Sequence, residues 1–155
     1  MKYLILENIR SAHNVGSIFR TADGAGVEKI FLVGYTPTPI DRFGRVQAEI
    51  AKTSLGASSY ILWESVGDSV ELMKRLQVNG MQVVAVEQHA RAVSLANFAV
   101  PTHVAYVLGN EVTGVAPRTL AACDTIVDIP MLGHKESLNV SVAAGIVMYH
   151  GVAKA

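Results

Sequence analysis

Short aliphatic and β-branched runs alternate with amphipathic stretches along the 155 residues. Tyr3 to Leu6 reads as a strand. Val15 to Ala25 has helical spacing, with Ile18, Phe19 and Ala22 on one face and Gly24 and Gly26 closing it. Lys29 to Val33 is a second strand, and the loop from Gly34 to Arg45 carries Pro37, Pro39 and Gly44. Ile61 to Trp63 reads as a short third strand. Val66 to Val78 is an amphipathic helix ended by Asn79-Gly80, and Gln82 to Val86 is a strand. His103 to Leu108 and Thr125 to Ile129 are two more strands, with a short helix begun by Pro117 between them; Leu138 to Ala153 forms the last helix. This alternation predicts an α/β fold, a mostly parallel sheet flanked by helices. With no repeat, low-complexity tract or linker, a single domain over 1–155 is expected.

Composition sharpens the picture. Half of the residues are hydrophobic and only 6% aromatic, so the core is aliphatic, as buried parallel sheets require. Thirteen basic and thirteen acidic residues cancel, which argues against a purely electrostatic nucleic-acid binder and leaves room for a local patch. The single Cys123 excludes an internal disulfide and makes a cysteine metal cluster implausible, and the histidines lack ligand spacing. No apolar run approaches the roughly 18 residues of a membrane span. Nor does Met1-Lys2-Tyr3-Leu4-Ile5-Leu6-Glu7 resemble a signal peptide. A cytoplasmic, soluble protein is expected.

Candidate chemistry concentrates near the C-terminus. Leu108-Gly109-Asn110-Glu111-Val112-Thr113-Gly114 follows one strand, and Ile129-Pro130-Met131-Leu132-Gly133-His134-Lys135-Glu136-Ser137-Leu138-Asn139-Val140-Ser141 follows the next. Polar, glycine-bearing loops at the C-terminal ends of strands are where open α/β sheets bind ligands; two such loops indicate one cofactor pocket. Two nucleotide motifs fail. Gly109 and Gly114 have P-loop spacing, but Val115 and Ala116 stand where Lys and Ser/Thr must be. Gly24-Ala25-Gly26 follows a helix rather than a strand, and Lys29 occupies the place of the third glycine of a dinucleotide fingerprint.

Near the N-terminus, Asn8-Ile9-Arg10-Ser11-Ala12-His13-Asn14-Val15-Gly16-Ser17-Ile18-Phe19-Arg20 places an asparagine, a small residue two positions on, and an arginine on the following helix. Together with the two C-terminal loops, and in the same order, these segments resemble the three motifs of the SpoU/TrmH-type RNA ribose 2′-O-methyltransferases of the SPOUT superfamily. The resemblance extends over essentially the whole chain. It implies a C-terminal deep trefoil knot, a rarity that ordinary topology rules would reject. It also implies S-adenosylmethionine as cofactor, with Leu108, Gly109, Asn110, Gly114, Ile129, Met131, Ser137, Leu138 and Asn139 around it. A homodimer with its site completed across the interface is implied, as is tRNA or rRNA as substrate. Many members of the family carry an extra RNA-binding domain, whereas this chain reads as little more than the catalytic domain, with no separate RNA-binding domain and no metal expected. The small, apolar last helix suits both knot and dimer packing.

The resemblance assigns the chemistry to Arg20, placed by the partner subunit, with Asn14 and Glu111 beside it. A ribose 2′-hydroxyl is a weak nucleophile that needs help losing its proton and an in-line approach to the methyl donor. An arginine is protonated at every accessible pH, so Arg20 is suited to holding phosphate and developing alkoxide, and proton acceptance stands as its second role. Plainer roles stand beside these. Asn14 and Ser137 could each cap a helix, Glu111 could be a solvated carboxylate, and His13 and His134 read as loop residues. Arg10, Arg42 and Arg45 are candidate RNA contacts, against ordinary solvated charge. A base-directed methyltransferase and a noncatalytic RNA-binding or ribosome-associated protein of the same fold are the alternatives.

Overall fold

A computed structural model describes residues 1–153; the last two residues of the expected 1–155 domain lie outside that range. Seven strands form one sheet, every pairing of which is parallel. They are β1 (Lys2–Glu7), β2 (Lys29–Val33), β3 (Leu62–Val66), β4 (Gln82–Val86), β5 (Val93–Ser94), β6 (Val104–Leu108) and β7 (Thr125–Asp128), in the spatial order β3-β2-β1-β6-β4-β7-β5. The helices are α1 (Ala12–Gly24), α2 (Ala48–Ser54), α3 (Ser69–Val78), α4 (Pro117–Ala122) and α5 (Val140–Tyr149).

Strand alternation divides the core between the two faces of the sheet. Leu4, Leu6, Ile30, Leu32, Tyr106 and Leu108 pack with Val15, Ile18 and Phe19 of α1, Ile50 of α2, and Ala144 and Val147 of α5. Ile5, Phe31, Val83, Ala85 and Val107 pack with Leu72, Met73 and Leu76 of α3, and Leu120 of α4 lies against them. The central strands are therefore apolar on both sides, and β6 reads Val-Ala-Tyr-Val-Leu, buried throughout.

Several boundaries differ from the sequence expectation. α1 begins three residues before Val15, because the Ser11 side chain accepts the Asn14 N–H and caps the helix. β3 runs on through Val66, so α3 starts only after Asp68, whose carboxylate accepts the Glu71 N–H. α5 is shorter than Leu138 to Ala153, opening at Asn139 and ending at Tyr149. α2 and the two-residue β5 were not foreseen; α2 buries a single large apolar side chain, Ile50, and β5 is too short for any alternation to show.

Sequence order and spatial order part company at the C-terminal end. β4 and β5 stand with a gap between them, the chain returns to lay β6 on the other side of β4, and β7 then fills the gap. As a result, the loops after β4, β6 and β7 converge at one end of the sheet.

Candidate cofactor cavity and active site

The convergence encloses a cavity of about 520 Å³. Val86, Glu87 and Gln88 line it from the end of β4, residues 108–115 from the end of β6, and Ile129, Met131, Ser137, Leu138 and Asn139 from the segment after β7. All nine residues that the resemblance places around the cofactor lie on this lining. Of the three in the catalytic group, Glu111 lines it, whereas Asn14 and Arg20 do not.

The loop after β6 is folded back on itself. Asn110 and Gly114 exchange two main-chain hydrogen bonds, 3.1 and 2.9 Å, while Asn110 Oδ1 accepts the N–H groups of Val112 and Thr113. The side-chain amide of Asn110 donates to the Asn8 carbonyl and to the Tyr35 hydroxyl, each at 2.9 Å. A Cβ on Gly109 would run into the backbone of Gly114 and Val115. Close approach within the loop itself therefore requires glycine there.

Two carboxylates at strand ends hold the loop in place. Glu7, buried at the end of β1, accepts hydrogen bonds from Ser69, Thr119 and the Ala116 N–H. Glu87, just past β4, accepts the Val115 and Gln88 N–H groups at 2.9 Å. Sequence reasoning singled out neither residue. Glu87 had a legible signal, a polar residue directly after a buried strand in a sheet whose ligand end lies there.

A chain of polar side chains joins all three motifs. Glu111 accepts the N–H groups of Arg10 (2.8 Å) and Ser11 (2.9 Å) and the Asn14 amide (3.2 Å). Asn14 Oδ1 in turn accepts from the Asn139 amide at 3.2 Å, and Asn139 Oδ1 caps α5 by accepting the Ser141 N–H. Asn14 is buried and lies inside α1, so it is a bridge rather than the helix cap. Likewise Asn139, and not Ser137, caps α5; Ser137 is an exposed lining residue. Burial pushes the Glu111 carboxyl up, but the main-chain N–H groups and the Asn14 amide outweigh it and hold the group below the ordinary glutamate range. Glu111 is therefore an organising carboxylate, not a freely solvated one.

Arg20 is exposed on α1 and engages no hydrogen bond or ion pair among the described residues. It stands about 9 Å further along the helix axis than Asn14, at 1.5 Å per residue. Beside α1 lies α5, with Thr21 next to Gly145 and the Tyr149 hydroxyl over Gly24. Val142, Ile146 and Tyr149 form an exposed apolar stripe on α5. His13 belongs to the first turn of α1 rather than to a loop, and His134 is in the loop after β7. Of the candidate RNA contacts, Arg10 is exposed beside the Glu111 junction, while Arg42 and Arg45 flank the Phe43 ring and Arg45 is paired with Asp41 at 2.8 Å. Cys123 is half-buried, and burial pushes its thiol up to about 12. Among the described residues no cluster of ligating side chains could hold a metal, and no helix is long and apolar enough to cross a membrane.

The lining chemistry limits the ligand. No Lys, Arg or His is among the lining residues, so nothing there matches a polyphosphate. Val86, Leu108, Ile129 and Leu138 offer apolar surface, the loops offer main-chain donors and acceptors, and Glu87 and Glu111 supply negative charge. That set suits a nucleoside carrying a positive rather than a phosphorylated substituent, as S-adenosylmethionine does. Fold and cavity together thus define an α/β protein with a ligand site at the C-terminal ends of its strands.

The chain belongs to the SpoU rRNA Methylase family, whose model matches residues 1–149. It is 32% identical over 145 residues to the 23S rRNA (guanosine-2′-O-)-methyltransferase RlmB of Neisseria meningitidis serogroup B, covering 94% of this chain and 55% of that one. The same-named protein of Xanthomonas axonopodis pv. citri is 36% identical over 149 residues, covering 96% and 57%. Among solved structures, an AdoMet-bound rRNA methyltransferase from Sinorhizobium meliloti superposes with TM-score 0.84 at 29% identity, over 96% of this chain and 54% of that one. The A. aeolicus TrmH/SpoU tRNA modifying enzyme superposes with TM-score 0.83 at 27% identity, over 96% and 72%. The chain spans little more than half the length of these RlmB relatives.

Proposed function

We propose that this chain is an S-adenosylmethionine-dependent RNA methyltransferase acting on a ribose 2′-hydroxyl, that residues 1–155 act as one catalytic domain, and that it works as a homodimer. The observation that carries the reading is the Glu111–Asn14–Asn139 bridge at the cavity. It ties the three motifs into one polar unit, and the relatives with solved structures and matching names are RNA methyltransferases. The threaded knot expected of the family belongs to the same proposal, and the late insertion of β7 between β4 and β5 supports it.

When bound, the cofactor supplies a methyl group on a sulfonium. The residues of the chain do the rest. Val86, Leu108, Ile129 and Leu138 form the apolar wall, and the main chain of 108–115 fixes orientation. Glu111 and Asn14 keep the rim where a ribose must arrive, which counts because a reacting pair has to be held near 3 Å and in line. Beyond Arg10 at the Glu111 junction, a cation is still needed beside the reacting hydroxyl to stabilise the developing alkoxide. The protomer's own Arg20 lies off the lining, and the exposed Val142–Ile146–Tyr149 stripe beside α1 offers the surface a second copy would cover. In the dimer, the partner subunit's Arg20 fills the role.

Transfer of a radiolabelled methyl group from S-adenosylmethionine into unmodified bulk rRNA and tRNA tests the reading, with the RNA digested to nucleosides. Label on a 2′-oxygen is expected. Arg20→Ala should reduce transfer at least a hundredfold while cofactor affinity changes less than about twofold. Label on a base, or binding of RNA without binding of cofactor, would replace the proposal with the corresponding alternative.

A further inference from the structure

At the rim of the cavity stands an aromatic ring that is both locked and exposed. Tyr35 remains 62% exposed, yet its hydroxyl is held by the Asn110 amide at 2.9 Å and its N–H donates to Asn8 Oδ1 at 3.3 Å. The next residue, Thr36, is buried, and its hydroxyl bonds to the Ile9 N–H and the Leu6 and Val33 carbonyls. The backbone and far end of Tyr35 are therefore fixed while the ring stays in solvent. Satisfying the buried Asn110 amide accounts for the fixed hydroxyl but not for leaving the ring in solvent, where exposed apolar surface forfeits about 25 cal/mol per Å².

The other exposed aromatics differ. Phe43 already carries the Arg42 and Arg45 guanidiniums over its ring, Tyr60 has its hydroxyl against Asp23 away from the cavity, and Tyr149 lies on the α5 stripe. Among the described residues, only Tyr35 of the exposed aromatics is hydrogen-bonded to a residue lining the cavity. The same rim carries the exposed Arg10, whose N–H is bonded to Glu111.

We infer that Tyr35 is a base-stacking platform, on which an unpaired base of the RNA lies so that its ribose is presented to the cavity. The inference rests on the RNA reading above and deepens it. A ribose inside a regular helix cannot be brought against a cofactor without splaying the nucleotide, and proteins that hold splayed RNA stack its bases on aromatic side chains. A ring already immobilised gives up little entropy on binding, and Arg10 is placed for the adjoining phosphate. Because purines offer more stacking surface, the platform prefers adenine or guanine to uracil.

The test is direct binding, read by fluorescence anisotropy with labelled single-stranded oligoadenylate and oligouridylate of about twelve nucleotides, a length within single-strand footprints. The full chain should bind oligoadenylate about fivefold tighter than oligouridylate. Tyr35→Leu should weaken oligoadenylate about tenfold and erase the preference, in keeping with the stacking contribution per base. Tyr35→Trp should retain both affinity and preference, Tyr35→Phe most of each, and calorimetry should give unchanged S-adenosylmethionine affinity in all three variants. Equal affinity of the unaltered chain for the two oligonucleotides, or no binding of either, would overturn the inference. So would a Tyr35→Phe variant as weak as Tyr35→Leu, which would locate the effect in the Asn110 hydrogen bond, or a parallel loss of cofactor affinity. If the binding pattern holds and no RNA accepts a methyl group, the stacking site stands and the enzymatic reading fails.

Discussion

Glu111 shows at the scale of one residue how the site is held. A carboxylate facing a cavity for a cationic ligand could serve as its counter-charge, yet both oxygens of Glu111 are already engaged by Arg10, Ser11 and Asn14. Its first effect is thus on the protein itself, fastening the N-terminal motif to the loop after β6. The sign of its pH dependence follows. The folded pKa lies below the ordinary value despite burial, because the donors outweigh desolvation. Its contribution to stability is therefore complete above the unfolded pKa of about 4.3 and is lost as pH falls through the folded value. Thermal unfolding of the unaltered chain and of Glu111→Gln should differ by a constant amount from about pH 8 down to about pH 5, and the gap should close below about pH 4. A gap that widened on acidification would mean that the carboxyl is held protonated. The position of Glu111 was legible in the sequence, but its partners were not. Which main-chain N–H groups a loop carboxylate meets depends on a segment a hundred residues away.

Among the elements, α1 and α2 explain the small residue of the N-terminal motif. The sequence pattern places Gly16 two positions after Asn14 without giving it a purpose. In the fold, a Cβ at Gly16 would land on Thr53 Oγ1 and press against the Ile50 carbonyl oxygen at 2.9 Å. The glycine lets α2 lie directly on α1, and α2 is the helix the sequence pattern missed. Its seven residues contribute only Ile50 to the core as a large apolar side chain, too little for a periodic signal. Strands β1, β2, β4, β6 and β7 were legible because both faces are buried and each is a nearly continuous apolar run. Two opposing effects act on Gly16→Ala. Alanine improves α1 by about 1 kcal/mol, while overpacking against a neighbouring backbone costs about 1–3 kcal/mol. The net expectation is a loss of about 1 kcal/mol, read as a lower urea midpoint at unchanged slope. Adding Thr53→Ala should recover part of the loss, since Thr53 supplies the side-chain half of the clash; no recovery would place the whole effect in the Ile50 carbonyl.

At the scale of the molecule, the cavity and the residue meant to complete it stand apart. Leu108 to Gly114 and Ile129 to Asn139 were visible as two loops of one pocket, because the chain carries both close together after successive strands. Where Arg20 stands was not visible, since helical position fixes a residue along its axis but not across a dimer. One protomer presents Arg20 in solvent, with the Val142–Ile146–Tyr149 stripe on the helix packed against α1. If that stripe is the twofold interface, Ile146→Glu should yield monomers on sedimentation that bind S-adenosylmethionine but transfer no methyl group. Complementation gives the sharper result. In a mixture of Arg20→Ala and Asn14→Ala chains, each homodimer lacks one essential group in both sites. A mixed dimer assembled across a twofold axis has one site lacking both groups and one site with Asn14 and the partner subunit's Arg20 intact. Random exchange of equal amounts should therefore restore about a quarter of the unaltered activity. An arginine acting on its own protomer's cavity would restore none, because every site would still lack one of the two residues.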